Sequence, residues 1–294
     1  AGSRGTALAR KRSRRCPASL GPMVNSFIDF LISCFHQNAY YFKLRFLYVI
    51  PMFLRQLGYS ETSYKRMIKY KQKHVNDRCF IIATGPSLTM EDLSKLKGEV
   101  TFGMNSLCMI FSKLGWETTY FGIQDRDVYE KVEKYISNTC QTNVLLGDYI
   151  TSPNIINEKF SRFSLDLSYR FHPAKKDLTK FSKDCYKRVY NGGTITYSLI
   201  QIAVYMGFKE IYLIGVDNYY SDDLNKQHFV EHGHFDPNYK TAGERNNIAY
   251  KTAKKFADSH NIKIFNATRG GMLEVFPRID LDEVLEIKKL KSVQ

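Results

Sequence analysis

The chain has 294 residues, of which 44% are hydrophobic and 14% aromatic. That composition excludes a disordered protein and is ample for a full core. The formal net charge is +14. Arg4, Arg10, Lys11, Arg12, Arg14 and Arg15 lie in residues 1–22 with no acid among them, which leaves +8 for residues 23–294. A basic balance of this size suits an anionic ligand or an anionic membrane surface. With no helix-turn-helix, RNP-like or zinc-finger pattern, nucleic acid is not an expected partner. The six cysteines are scattered without a C-x-x-C pair, as expected of reduced, buried thiols in a cytosolic protein.

Residues 1–22 have no apolar periodicity and read as an appended leader ahead of a natural start at Met23. Residues 23–76 form a helical, basic and aromatic segment. Phe27, Phe30, Leu31 and Cys34 fall at helical spacing, but Lys43, Arg45 and Arg55 interrupt the apolar runs. No run reaches the roughly 18 uninterrupted residues that span a bilayer. Two readings of residues 24–75 remain open: helices packed on the core or on a second copy of the chain, or a segment lying on a membrane.

From Asp77 the pattern becomes α/β. Strands are expected at Cys79–Ala83, Val100–Met104, Thr119–Ile123, Asn143–Leu146, Ile211–Val216 and Lys263–Asn266. Helices are expected at Met90–Lys97, Val128–Ile136, Thr196–Met206 and Gly243–His260. This alternation predicts a mostly parallel sheet with right-handed crossovers over residues 77–280 and ligands at the carboxyl ends of its strands. Residues 281–294 read as a charged, helical tail.

Several stretches can carry chemistry. Cys79 to Ile82 is a buried strand, and Thr84-Gly85-Pro86-Ser87 then turns toward a helix start, the geometry that offers N–H groups to a phosphate. Gly193-Thr194 opens a second helix in the same way. Asn105 and Asp217 close two further strands. Asp217 can bind a sugar hydroxyl or cap the next turn, and Tyr219 and Tyr220 can donate to a phosphate. Gln124-Asp125-Arg126-Asp127 contains D-x-D, which serves equally as a divalent-metal pair or as a helix cap. The polar connection 221–242 has the length of a lid and contains His228, His232 and His234. A histidine there serves better as a general base than as a metal ligand, because it lacks the spacing of a zinc site.

The stretch Ile81-Ile82-Ala83-Thr84-Gly85-Pro86-Ser87-Leu88, the end Met104-Asn105-Ser106, the pair Gly193-Thr194 and the run from Met206 to Asp217 together resemble the bacterial sialyltransferases of the Campylobacter type. They also resemble the related DUF115 family, which includes flagellin glycosyltransferases and 6-hydroxymethylpterin diphosphokinase-like proteins. The similarity covers roughly residues 78–266. It implies a Rossmann-like, GT-A-type domain and an inverting, metal-independent transfer of sialic acid or a similar nonulosonate from a CMP-activated donor to a cell-surface glycan. The donor is then a substrate and no cofactor is required. By this resemblance Gly85, Pro86, Ser87, Asn105 and Thr194 match nucleotide-binding positions, and Tyr219 matches a phosphate-binding tyrosine. Thr84 stands where the family's loop often carries Asn. Glu244 stands where the sialyltransferases carry their catalytic histidine, so the base is expected to be His234 or Glu244.

The expected partners are a nucleotide-sugar donor and a free or lipid-linked glycan acceptor, with membrane contact through residues 24–75 and a homo-oligomer as further expectations. The expected location is the cytoplasm, at the inner face of a bacterial inner membrane. Two other readings stay open. One is a pterin diphosphokinase, or a transferase using a nucleoside-diphosphate donor, with Asp125 and Asp127 holding Mg²⁺ or Mn²⁺. The other is a non-catalytic glycan- or membrane-binding protein.

Overall fold

The structure, a computed structural model, describes residues 22–139, 142–150, 157–167, 179–223, 227–230, 233 and 239–291. The helix α1 (Pro22–Gln56) is followed by the short α2 (Thr62–Lys65) and by β1 (Arg78–Ile82). Then come α3 (Met90–Lys95), β2 (Thr101–Met104), α4 (Phe111–Leu114), β3 (Tyr120–Ile123), α5 (Arg126–Ser137), β4 (Asn143–Gly147) and β5 (Phe160–Phe163). The short strands β6 (Leu165–Asp166) and β7 (Val189–Tyr190) precede α6 (Ile195–Met206) and β8 (Glu210–Ile214). The long α7 (Tyr239–Ser259), β9 (Lys263–Asn266) and α8 (Leu281–Lys291) complete the order.

Seven strands form one parallel sheet in the order β5-β4-β3-β2-β1-β8-β9, and β6 and β7 pair separately. The expected α/β class with a mostly parallel sheet is therefore what the chain adopts. Alternation along each strand divides the core. Cys79 and Ile81 of β1, with Ile211 and Leu213 of β8, face a layer made by α6 and α7. Phe80 and Ile82, with Tyr212 and Ile214, face the layer of α3, α5 and α8. Strands buried on both faces need apolar residues at successive positions, and β1 supplies them from Cys79 to Ile82.

The chain starts at β1, builds outward through β2 to β5, and returns to the other side of β1 as β8. The β1–β8 boundary is thus a point where the direction of winding reverses, the place where ligands bind on open parallel sheets.

The α8 segment is not a free tail. Leu281 and Val284 are buried in the core, and the Arg78 guanidinium donates to the carbonyl of Val284 at 2.9 Å. At the other end, α1 runs through Pro51 as one helix. Its last turns dock on the core: Tyr48 hydrogen-bonds Tyr149, and the Arg55 guanidinium donates to the carbonyl of Lys187 at 2.7 Å. Phe35, Phe42 and Phe46, earlier in the same helix, and Phe53 between the docked residues are exposed. Among the described residues no helix is long and apolar enough to cross a membrane. Cys79, Cys108 and Cys185 are buried and free, and burial raises the pKa of each thiol.

The small β6–β7 sheet is clamped by Arg188, whose guanidinium lies 2.7 Å from the buried Asp166 carboxylate. Replacing Asp166 with Ala strands that guanidinium in the interior. Urea unfolding of D166A is expected to show a loss of about 3–5 kcal/mol, the cost of breaking a buried pair from one side.

Candidate functional site

The carboxyl ends of β1, β2 and β8 meet the start of α6 around one small cavity of about 100 Å³. Thr84 and Gly85 after β1, Asn105 after β2, Thr194 at the head of α6, and Asp217, Tyr219 and Tyr220 after β8 all line it. Seven of the residues expected from the sequence therefore converge on one crevice, at the reversal point of the sheet.

The close approach of the β1 and β8 ends depends on glycine. The Gly85 N–H donates to the carbonyl of Gly215 at 2.9 Å. A Cβ at Gly85 would stand 1.9 Å from Oδ2 of Asp217 and 2.5 Å from the Gly215 oxygen, so no side chain fits there. Asp217 is buried, and its Oδ2 accepts from the Ser87 hydroxyl at 2.8 Å. Burial raises the pKa of this carboxyl against the opposing pull of the Ser87 bonds. Asn105 and Asn218 both adopt left-handed backbone, with φ of +52° each, and both line the cavity. Asparagine tolerates that conformation at a cost, and such positions gather where geometry serves a site.

The helix end that reaches the cavity is that of α6. Eleven of its twelve residues are buried, so its peptide dipoles act in a medium of low dielectric. Thr194 caps it, its hydroxyl accepting from the Thr196 N–H at 3.3 Å. Beneath lies Tyr250 of α7, fully enclosed and hydrogen-bonded to the hydroxyls of Thr194 and Thr196; burial raises its pKa, so the phenol keeps its proton. Asn246, one turn earlier on α7, donates to the Tyr220 hydroxyl at 3.1 Å. The start of α3 differs: Thr89 and Asp92 close it with a reciprocal capping box, and α3 has only six residues.

The segment after β8 folds back over the strand ends. The Phe229 N–H donates to the carbonyl of Thr84 at 2.8 Å, and the Ser106 hydroxyl donates to the carbonyl of Val230 at 2.7 Å. Gln227 and His228 thereby become lining residues, and Lys131 of α5 donates to the carbonyl of Gly233.

Other expected residues lie elsewhere. Pro86 and Ser87 do not line the cavity, although Ser87 holds Asp217. Gln124 accepts from the Ser198 hydroxyl at 2.7 Å. Asp125 caps α5, its Oδ1 accepting from the N–H of Asp127 at 2.9 Å and of Val128 at 3.3 Å. Gly193 supplies a turn with φ of +90°. Glu244 is exposed on α7 and outside the cavity lining. His234 lies outside the described residues, as does His232. Sequence reading passes over Asn246 and Tyr250. They sit four apart on one face of α7, a spacing that marks them as partners once the buried face is known.

The MptE-like family profile, described as 6-hydroxymethylpterin diphosphokinase MptE-like, matches residues 53–223, more than half of the chain. The chain belongs to the MptE-like family. No curated protein matches it. Among solved structures it is similar to the MAf glycosyltransferase from Magnetospirillum magneticum AMB-1, at 14% identity and a TM-score of 0.50. That match covers 79% of this chain and 42% of the other protein, so the chain spans about two-fifths of its length. It is also similar to the sialyltransferase CstII from Campylobacter jejuni, solved in complex with the substrate analogue CMP-3FNeuAc, at 18% identity and a TM-score of 0.43, covering 69% of this chain and 86% of that one. CstII in complex with cytidine-5'-monophosphate gives 17% identity and a TM-score of 0.44, covering 70% and 85%. At these identities the likeness to the MAf enzyme speaks for this member's fold alone.

Two substitutions probe the strand-end contact. Gly85→Ala must push Asp217 or the β8 end aside, and its thermal unfolding is expected to show a loss of about 1–3 kcal/mol. For Asp217 the raised pKa means that the folded state holds its proton to higher pH than the unfolded chain. The carboxyl therefore costs stability as pH rises from its ordinary value of 3.8 through the raised one. Asp217→Asn, which keeps an acceptor for Ser87, is expected to melt higher than the wild type near pH 7. That gain should vanish near pH 4 in melting curves.

Proposed function

We propose that the chain is a glycosyltransferase that moves sialic acid or a similar nonulosonate from a CMP-activated donor to a glycan acceptor, with inversion and without a metal. The observation that carries the reading is the pairing of a buried helix start, α6 at Thr194, with a carboxylate, Asp217, across one crevice at the sheet's reversal point. The first suits a phosphate and the second a ribose hydroxyl, which together describe a nucleotide monophosphate. The choice of CMP comes from the sequence resemblance of the strand-end motifs.

In this reading the Thr194 and Thr196 hydroxyls and the N–H groups at the α6 start hold the phosphate, with Tyr219 and Tyr220 donating to it as charge develops. The acceptor hydroxyl oxygen attacks the anomeric carbon from the face opposite the phosphate. The bond from that carbon to the phosphate oxygen breaks, and CMP leaves with the electron pair. A lid histidine takes the acceptor's proton: His228, which lines the cavity, or His234 beside it in sequence. A cavity of about 100 Å³ is well below the roughly 300 Å³ of a small-ligand site. Residues 227–230 therefore swing away to admit the donor and close again over it. The exposed aromatic residues of α1 give the enzyme a face for a membrane that carries lipid-linked acceptor.

The family match favours a second reading, a pterin diphosphokinase. That chemistry needs carboxylates for Mg²⁺, and the Asp125 carboxylate accepts from the α5 N–H groups.

A melting panel of CMP, CDP, UDP, GDP and ATP, each with EDTA or with Mg²⁺, separates the two. CMP at about 100-fold excess over its Kd is expected to raise Tm by roughly 5–10 °C in the presence of EDTA. A shift confined to ATP or a nucleoside diphosphate with Mg²⁺ would overturn the transferase reading in favour of the kinase. With a CMP-sugar donor, His228→Ala is expected to lower kcat by about 10²–10⁴ while keeping the CMP shift.

A further inference from the structure

A second cavity, of about 540 Å³, opens between the end of α1, the α2 region and the carboxyl ends of β4 and β5. Asp148, one residue beyond β4, and Ser164, one beyond β5, lie on its core side. Arg55 of α1 and Tyr64 of α2 close another wall, the guanidinium 5.3 Å from the centre of the Tyr64 ring. Tyr59, 73% exposed, and Tyr149, 44% exposed, stand at its rim.

Simple docking of α1 on the core would call for apolar side chains here. Beside Leu47, Pro51 and Leu54 of α1, the wall carries phenols, two hydroxyls (Ser60 and Ser164), two carboxylates (Asp148 and Glu61) and one guanidinium. Arg55 is only 6% exposed, and its Nε is buried with no hydrogen-bond partner among the described residues. The other end of the same guanidinium is committed to the carbonyl of Lys187. Burial pushes the Tyr64 phenol up to about 12 and raises the Asp148 carboxyl. The Tyr64 phenol thus keeps its proton across neutral pH. Exposed aromatic faces above buried donors and acceptors are suited to a ring with apolar C–H faces and a rim of hydroxyls. Two carboxylates against one guanidinium disfavour an anion.

We propose that this cavity binds a neutral pyranose unit of the acceptor glycan. Tyr59 and Tyr149 pack against the sugar face, and the Ser60 hydroxyl and the Glu61 carboxylate of the lining meet its hydroxyls. The inference rests on the transferase reading above and adds to it the acceptor's class and place. Strand order supports the placement: β4 and β1 are three strand spacings apart on one sheet edge, about 15 Å. An oligosaccharide spans that distance and a monosaccharide does not, so the bound unit is one well removed from the reacting hydroxyl.

The test uses the full chain on a printed array of neutral hexose and N-acetylhexosamine saccharides of increasing length. In parallel, CMP affinity is measured by melting shift. Wild type is expected to retain oligosaccharides and to pass over monosaccharides. Tyr59→Ala and Tyr149→Ala are expected to weaken retention about tenfold or more while CMP affinity stays at the wild-type value. Tyr59→Ala removes an exposed ring, and a wild-type melting temperature certifies its fold. Retention unchanged in both variants, or no retention of any oligosaccharide by wild type, overturns the proposal. A CMP shift without saccharide binding leaves the transferase reading standing and removes only this one. Saccharide binding lost in the variants, with no CMP shift in wild type, removes the CMP reading and leaves a saccharide site.

Discussion

The structure hangs on the approach of two strand ends. Where β1 and β8 finish, the Ala83 N–H donates to the Ile214 carbonyl at 2.8 Å and the Gly85 N–H to the Gly215 carbonyl at 2.9 Å. The ladder therefore continues past both strands into the loops. That continuation is possible because neither loop carries a side chain at the contact. Gly215 holds φ of +65°, and a Cβ on it would lie 3.0 Å from the Ala83 oxygen. The glycines free the next residues: Asp217 can lean back over the β1 loop and accept from Ser87. A single steric condition thereby sets the position of the carboxylate, the direction of the loop and the width of the crevice.

The layers on either side make that condition rigid. β1 and β8 are apolar on both faces, and α6, buried almost all round, is packed between the sheet and α7. A helix so enclosed cannot satisfy its first N–H groups with bulk water. Thr194 meets one of them, and Ile195 and Thr196 line the cavity, so the helix start gives an anion there a stronger field than a surface helix provides. The same enclosure forbids loose polar groups. Tyr250 is tied to Thr194 and Thr196, and Asn246 to Tyr220, so the polar lining is also a hydrogen-bonded network. The segment 227–230 completes it by hydrogen bonds to Thr84 and Ser106 after β1 and β2, with Phe229 and Val230 only partly buried against the core. Such contacts release at lower cost than core packing does.

Much of this is legible in the sequence, because parallel strands buried on both faces announce themselves as apolar runs. Each of the six expected strands overlaps an observed one, and Lys263–Asn266 has the same bounds. The β5 strand, Phe160–Phe163, escapes because Phe-Ser-Arg-Phe is short, polar in the middle and at the sheet edge. For the site, residues that follow a strand directly (Thr84, Gly85, Asn105, Asp217) read correctly as neighbours, since the sheet alone brings them together. Residues placed by helix packing do not. Asn246 and Tyr250 reach the cavity only because α7 turns that face inward, and Glu244, two positions from Asn246, therefore faces solvent. Asp125 illustrates a different ambiguity: a carboxylate before a helix is equally a ligand or a cap, and here its bonds are those of a cap.

The order of strands also orders what the molecule can hold. At the carboxyl edge of the sheet, each of these two cavities takes residues from the loops after particular strands. The first draws on β1, β2 and β8, and the second on β4 and β5. β3 lies between them and contributes Gln124 and Asp125 to packing and capping, which keeps the two cavities apart. The second cavity has a further wall that the first lacks, the end of α1, held by Tyr48 to Tyr149 and by Arg55 to Lys187. None of those four residues lines the first cavity. The docking of α1 therefore acts on the far end of the edge while the β1–β8 crevice keeps its shape, since the sheet that sets the crevice does not depend on the helix.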